Sequence, residues 1–355
     1  MKIAFVNDTF LRGRGVDNVI FELARRIGKD HEVDVITADH DLPEDNFSIK
    51  KVKGGKLVKG GVSDFLFFRN FPSFRTASKG YDVINLHHSA MNPAFFGFKN
   101  VVVTYHGFPF VFLSENGLRK IGRSTVNRLG RKSLRFGNKV VSISEYLSKE
   151  LIDHGVPKKK IVVIRDGVDD IFKPTRKDRN YMLFVGRHEK HKNIDELIRI
   201  SSELGFPLKI AGEGPETEKL KRLAKKINAN TDFMGNLGRI ELLRLYQECS
   251  FFVSASKWEG FGLIFMEAAA CGKPSIGYMT CAIPEVVLDG KTGLLAKSYE
   301  GLKENVKELI EDKNLRKVLG KKALSFSKDF GWDRVSRDYE TLFARIKPSS
   351  RKGLP

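Results

Sequence analysis

The stretch Trp258-Glu259-Gly260-Phe261-Gly262-Leu263-Ile264-Phe265-Met266-Glu267 places two glutamates eight residues apart across a glycine-rich bend that runs into an apolar, helix-like segment. Eight residues is a little over two helical turns, so the carboxylates share a side only if a helix begins between them. A bend whose backbone N–H groups open a helix receives an anion. Each glutamate then holds a hydroxyl-rich part of the same ligand, and the ligand implied is a phosphate ester carrying a sugar. Upstream, Gly186-Arg187 is followed five residues on by Lys192. An arginine fork and a movable lysine together suit the oxygens of a diphosphate. Two solvated surface cations is the plainer alternative for that pair.

Further bends repeat the theme. Ala211-Gly212-Glu213-Gly214-Pro215 has glycines that allow a ligand to come close, with Glu213 either facing a ribose or base or capping the next helix. Phe233-Met234-Gly235-Asn236-Leu237 could line a slot for a base. In the first half, His106 follows an apolar run and precedes Gly107, while His87 and His88 stand in a similar setting with a core or capping role as the alternative.

These residues need strands to present them. Ile3–Val6, Val33–Thr37, Val83–Leu86, Val101–Tyr105, Val140–Ile143 and Ile161–Ile164 are short apolar runs, with a helical pattern from Val19 to Arg26. After a polar break at Arg165 to Asn180 the alternation restarts, with strands at Tyr181–Val185, Leu208–Ala211, up to Phe233, Phe251–Ser254 and Pro274–Gly277. Helical patterns lie between them, the last at Leu302–Glu308. Such alternation predicts two α/β domains, each a doubly wound, mostly parallel sheet. Ligands of such sheets bind beyond the carboxyl ends of the strands, where the candidate residues fall. Lys50–Phe68 reads as a hairpin or an extended insertion, and Trp332–Ile346 as one long helix. The expected division is residues 1–170, residues 171–331, a crossover helix at 332–346 and a frayed tail at 347–355.

A chain of 355 residues with 41% hydrophobic residues supports two cores. Its net charge of +19 favours phosphorylated molecules, polyanions or anionic lipid. Between Asn116 and Ser144 there are eight basic side chains and no acidic one, among Ile121, Val126, Leu129, Leu134 and Phe136. Arg119–Lys139 therefore reads as one or two basic amphipathic helices suited to an anionic membrane surface. Phe65–Arg75, aromatic and basic by turns, is a second candidate, with a core strand and loop as the alternative. Cys249, Cys271 and Cys281 lack metal or disulfide spacing, which points to a reducing compartment and a cytoplasmic location. The N-terminus reads as a strand rather than a signal peptide, and no apolar run is long enough to span a bilayer, so any membrane contact is expected to be peripheral.

Taken together, Gly186-Arg187 with Lys192, Gly212-Glu213-Gly214, Phe233-Met234-Gly235, Glu259…Glu267 around Gly260-Phe261-Gly262, Gly272-Lys273-Pro274 and Pro284-Glu285-Val286-Val287…Asp289-Gly290-Lys291-Thr292-Gly293 resemble a family 4 glycosyltransferase. In the first half the likeness rests on Gly15-Val16-Asp17, Thr104-Tyr105-His106-Gly107, Ser142-Ile143-Ser144 and Gly167-Val168-Asp169. The resemblance implies a GT-B fold of two facing Rossmann-like domains, with the terminal helix crossing back to the first. It implies transfer of a sugar from a UDP- or GDP-sugar with retention of configuration and without a metal or other cofactor. Carried over residue by residue, Arg187 and Lys192 bind the diphosphate, with Gly260, Phe261, Gly262 and Leu263 around the distal phosphate. Glu259 positions the sugar, Glu267 the ribose, and His106 lies near the transferring atom. The Gly15 loop closes on the acceptor and phosphate side, and Glu213 and Met234 complete the expected donor-binding set. His106, Arg187, Lys192 and Glu259 are the expected catalytic set. Arg14 stands where the family often has a second glycine, and Asp166 where it usually has asparagine.

With no nucleophile evident opposite the sugar, the expected chemistry is front-face transfer, the leaving phosphate helping to deprotonate an acceptor hydroxyl on a glycan or lipid-linked molecule. A sugar-nucleotide 2-epimerase or disaccharide phosphorylase on the same scaffold is the rival enzyme. A nucleic-acid binding protein is the rival of another class, opposed by the lack of any recognition module.

Overall fold

The computed structural model describes residues 1–52, 71–87, 95, 97–107, 133–175 and 177–346. They form two compact units: one holds the chain up to Asp166 together with the helix from Trp332, and the other runs from Gly167 to Gly331.

The first unit begins with β1 (Lys2–Val6), β2 (Thr9–Phe10), α1 (Gly15–Ile27), β3 (Glu32–Thr37), β4 (Asp39–His40) and β5 (Ser48–Lys51). It continues with α2 (Phe71–Ala77), β6 (Val83–Leu86), β7 (Val101–Tyr105), β8 (Lys139–Ser142), α3 (Glu145–Asp153) and β9 (Ile161–Val163). Its main sheet has seven strands in the order β5-β3-β1-β6-β7-β8-β9, and every pairing is parallel. Parallel strands covered on both faces read as continuous apolar runs, and Ile3 to Val6 and Val101 to Val103 are accordingly buried. Strand order reverses between β1 and β6, and a crevice opens there at the carboxyl ends.

The second unit contains β10 (Met182–Val185), α4 (Ile194–Leu204), β11 (Leu208–Ala211), α5 (Thr217–Lys226), β12 (Thr231–Gly235), α6 (Arg239–Glu248) and β13 (Phe251–Val253). Then come α7 (Leu263–Ala270), β14 (Ser275–Tyr278), α8 (Ile283–Val286), β15 (Gly293–Ala296), α9 (Tyr299–Glu311) and α10 (Lys313–Ser327). Its sheet is β12-β11-β10-β13-β14-β15, again all parallel. That is the Rossmann order, with the crevice between the ends of β10 and β13. Phe184, Ile210, Phe251, Val253 and Ile276 fill the core beside Leu197, Leu302 and Leu319.

The last helix, α11 (Trp332–Ala344), belongs to the first unit. Trp332, Val335, Tyr339, Leu342 and Phe343 recur at helical spacing and are all buried. Phe343 packs on Phe5 of β1 with ring centroids 6.3 Å apart, and Arg26 Nε of α1 donates to Asp333 Oδ1 at 2.8 Å. Two Rossmann-like sheets with a terminal helix returned to the first unit constitute the GT-B architecture.

Several elements differ from the expectations. Ser48–Lys51 is an edge strand parallel to β3, and beyond Val52 the Lys50–Phe68 stretch read as a hairpin or an insertion lies outside the described residues. Helix α9 begins at Tyr299, where Ser298 Oγ accepts the Gly301 N–H at 3.2 Å, and α10 follows, capped by Asp312 Oδ1 on the Leu315 N–H at 2.8 Å. Most of Arg119–Lys139 lies outside the described residues. The part described is the helical Ser133, a short 3₁₀ turn at Leu134–Phe136 and Lys139, which opens β8. Within Phe65–Arg75, Phe71 onward is helical, with Phe74 buried and the Arg75 guanidinium 4.8 Å from the Phe98 ring centre. Among the described residues no helix is long and apolar enough to cross a membrane.

Candidate functional site

At the mouth of the second crevice, β10 ends in Val185 and the chain turns through Gly186 into Arg187. A 3₁₀ turn at Lys190–Lys192 follows, and Asn193 in the left-handed region (φ 45°) swings the chain into α4. That geometry turns Lys192 toward the loop after β13, where its Nζ donates to Glu259 Oε1 at 2.7 Å. Both side chains are largely buried, at 14% and 10% exposure. Arg187 is left mostly exposed, its Nε 3.3 Å from Glu189 Oε1. A backbone bond from the Lys257 N–H to the His191 carbonyl (2.9 Å) ties the two loops together. The crevice thus brings Lys192 and Glu259 into contact from positions 67 residues apart.

The bend after Glu259 is built by glycine. Gly262 has φ +98° and precedes the first turn of α7, and a Cβ there would lie 2.9 Å from Phe265 Cδ2. Helix α7 begins at Leu263, between the two glutamates, as the spacing required. Its first-turn N–H groups form the positive end of the helix. The Phe261 side chain is 2% exposed and packs on Phe330 at 5.9 Å, so it serves the core and leaves only its backbone to the bend.

Gly212 and Gly214 are required by the packing of the chain itself. A Cβ on Gly212 would fall 2.2 Å from the Gly186 carbonyl oxygen, and one on Gly214 2.5 Å from that of His188. They let the loops after β10 and β11 touch backbone to backbone, sealed by the His188 N–H on the Glu213 carbonyl at 3.1 Å. Glu213 does not cap α5, since Glu216 occupies the N-cap position. Its exposed carboxylate accepts from Asn236 Nδ2 at 3.0 Å, at the end of β12 beside half-buried Met234.

Glu267 lies one turn into α7 and accepts from the Tyr246 hydroxyl at 2.7 Å. Burial raises its pKa to about 7, against the lowering effect of the Tyr246 hydrogen bond and the Arg239 charge. Glu259 and Glu267 therefore differ in setting: one is held by a cation, the other by a phenol. Downstream, Asp289 and Thr292 serve the chain itself. Asp289 Oδ1 accepts the Leu295 N–H and Thr292 Oγ1 the Leu288 N–H, each at 2.8 Å, shaping the turn into β15.

In the first unit, His106 follows β7 and Gly107 takes φ +86°. His106 Nε2 is 3.0 Å from His87 Nδ1, and His87 Nε2 is 2.9 Å from Asn85 Oδ1. Burial lowers the His106 pKa to about 4 and that of His87 well below the ordinary value, the latter aided by the neighbouring His106. Both rings are neutral at pH 7. Gly15 opens α1 just after Arg14, whose Nη1 donates to Thr9 Oγ1 at 3.1 Å. Asp17 is buried under this loop and accepts from Asn7 Nδ2 (2.7 Å), Thr9 Oγ1 (3.1 Å) and the Leu11 N–H (2.8 Å), with burial raising its pKa to about 6. His88 lies outside the described residues.

Lys257 carried no signal in the motifs; its Nζ sits 3.5 Å from the Tyr278 ring centre and 3.7 Å from Glu196 Oε1. His87 and Asn85 do have one, for they occupy the carboxyl end of β6 beside the switch point. Among the described residues no three His, Cys, Asp or Glu side chains are grouped to hold a metal ion.

Residues 13–171 match the model of Glycosyltransferase Family 4, and residues 168–326 that of Glycosyl transferases group 1. An uncharacterized glycosyltransferase of Methanocaldococcus jannaschii (MJ1178) is 34% identical over 212 residues. That match covers 58% of this chain and about 60% of the relative's length. Among solved structures, the sucrose-phosphate synthase of Thermosynechococcus elongatus has a TM-score of 0.84 at 19% identity, covering 98% of this chain and 99% of that one. Anabaena HepE in complex with UDP and glucose scores 0.80 at 18% identity, covering 98% and 100%. At these identities the likeness establishes the fold.

Proposed function

We propose that this chain, a GT-B glycosyltransferase related along its two halves to the family 4 and group 1 enzymes, moves a sugar from a nucleoside diphosphate to an acceptor hydroxyl with retention of configuration. The observation that carries the reading is the Lys192–Glu259 pair, 2.7 Å apart at the switch point of the second sheet and next to the amino end of α7. A cation for phosphate and a carboxylate for hydroxyls stand side by side where such sheets take ligands.

In this reading Arg187, Lys192 and the N–H groups at Gly262 and Leu263 hold the diphosphate and take up the charge that grows on it as the glycosyl bond breaks. Glu259 holds the sugar and Glu267 the ribose diol. Met234 and Glu213 lie toward the nucleoside, Gly260 and the Phe261 backbone line the phosphate bend, His106 faces the sugar, and the Gly15 loop serves the phosphate and acceptor side. The departing phosphate takes the acceptor proton on the same face, which gives retention, and the cations do the work of a Lewis acid without a metal. The acceptor is a hydroxyl of a glycan or lipid-linked molecule, approached at an anionic membrane surface through the basic segment 119–139.

UDP-glucose is the first donor to test, within a panel of UDP-, GDP- and ADP-sugars followed by thermal shift. A binding donor is then used in a radiolabelled transfer assay with and without EDTA. Isomerised donor formed without acceptor, or a requirement for inorganic phosphate, would replace this reading with epimerisation or phosphorolysis. Absence of stabilisation by every sugar nucleotide would end it.

A further inference from the structure

The hydrogen bonds at the end of β6 and β7 have a direction, and a backbone carbonyl sets it. Asn85 Nδ2 lies 3.2 Å from the Val102 carbonyl oxygen and 3.0 Å from Thr104 Oγ1. A carbonyl only accepts, so the amide group facing Val102 is the NH₂ and the one facing His87 is the oxygen. Asn85 Oδ1 in turn only accepts, so His87 Nε2, at 2.9 Å, carries a proton. A neutral imidazole has one N–H, which leaves His87 Nδ1 as a lone pair. His106 Nε2, 3.0 Å away, must then be the donor in that contact. His106 is left with its lone pair on Nδ1.

We infer that Asn85 and His87 are positioning residues that hold His106 in the Nε2–H tautomer with Nδ1 as an acceptor, so that the ligand group it meets is a proton donor, a hydroxyl or N–H, and not an ether or carbonyl oxygen. The inference rests on the proposed function only in taking that ligand to be the donor sugar. The chain of contacts continues to the terminal helix. Thr104 Oγ1, which accepts from Asn85, is 3.2 Å from the Tyr339 hydroxyl on α11, so the terminal helix braces the relay. The two imidazoles stack with centroids 5.2 Å apart and 28° between planes, which fixes the ring orientation as well as the tautomer. Burial keeps both rings neutral, and two facing N–H groups would repel.

The test is nuclear magnetic resonance on the full chain labelled with ¹⁵N-histidine, His106 being assigned by the signals lost in His106→Gln. The expected result at pH 7 is a protonated His106 Nε2, an unprotonated His87 Nδ1 and a ¹⁵N–¹⁵N coupling across the hydrogen bond between them. His87→Phe should abolish the coupling, bring the His106 N–H into fast exchange with solvent and lower turnover roughly tenfold, the worth of one lost hydrogen bond. A protonated His106 Nδ1 in the wild type would reverse the relay and overturn the inference. So would a folded His87→Phe enzyme with full turnover. If that variant does not fold, the wild-type spectrum still decides. Loss of sugar-nucleotide binding with the Nε2–H form intact would sink the proposed function and leave the relay standing.

Discussion

Lys192 Nζ rests 2.7 Å from Glu259 Oε1, so the lysine assigned to the diphosphate is already bonded to the carboxylate assigned to the sugar. Neither is spare surface charge. Removing one partner strands the other in a site that is mostly closed to water. Lys192→Met should destabilise the protein by about 3–5 kcal/mol, and Glu259→Gln by less because the amide still accepts from the ammonium. A double-mutant cycle followed by thermal unfolding should return a coupling of at least about 1 kcal/mol. Additive single effects would show that the pair is incidental.

Arg187 makes the opposite case. Its side chain is 69% exposed and meets Glu189 at 3.3 Å, a pairing that solvent screens. Arg187→Ala should therefore change stability by less than about 0.5 kcal/mol. Transfer from a radiolabelled donor should nevertheless fall by about 10²- to 10³-fold, as expected when a group stabilising developing charge is lost. Unchanged turnover would remove the arginine from the mechanism.

Gly212→Ala separates a glycine required by packing from one required only by its backbone angle. The position needs φ +111° and leaves no room for a Cβ against the Gly186 backbone. A loss of about 2 kcal/mol or more is expected. Gly290→Ala, at φ +65° in open space, should cost only about 1–2 kcal/mol. Equal costs, read as thermal midpoints, would mean the packing at Gly212 is softer than it looks.

Asp166, at the end of the first unit, is 4% exposed, and burial raises its pKa from 3.8 to about 7. The folded protein keeps this proton until about pH 7 while the unfolded chain releases it near 3.8. In that window the unfolded state binds fewer protons, so this group's contribution to stability falls as pH rises from about 4 to 7 and is level above. Asp166→Asn should match the wild type near pH 4 and exceed it by on the order of 2–4 kcal/mol at pH 8. A constant difference between the two across that range would show that the carboxyl ionises normally.

Glu267 repeats the sign in the second unit, since burial lifts its pKa to about 7. Glu267→Gln keeps an acceptor for the Tyr246 hydroxyl and should also gain stability over the wild type as pH rises from about 4.5 to 7. If Glu267 serves the ribose, the same variant binds the donor about tenfold or more weakly by titration calorimetry. Unchanged donor affinity would confine the residue to a structural role.

Much of this protein lay in local pattern. Alternating apolar runs and helical stretches determined two parallel α/β layers, because strands covered on both faces must be apolar throughout. The positions of Arg187, Lys192, Glu259, Glu267 and His106 after their strands or at a helix start followed from the same segmentation. Tertiary structure decided what these residues touch. No spacing rule links position 192 to 259, or 87 to 106, since those contacts arise only when strands distant in the chain become neighbours in a sheet. Folding also settled which glycines face backbone and which open a helix, and it turned the Phe261 side chain into the core. Electrostatics waited on the fold for the same reason: burial, which raises Asp166 and Glu267 and lowers His106, belongs to the packed molecule and not to any residue type.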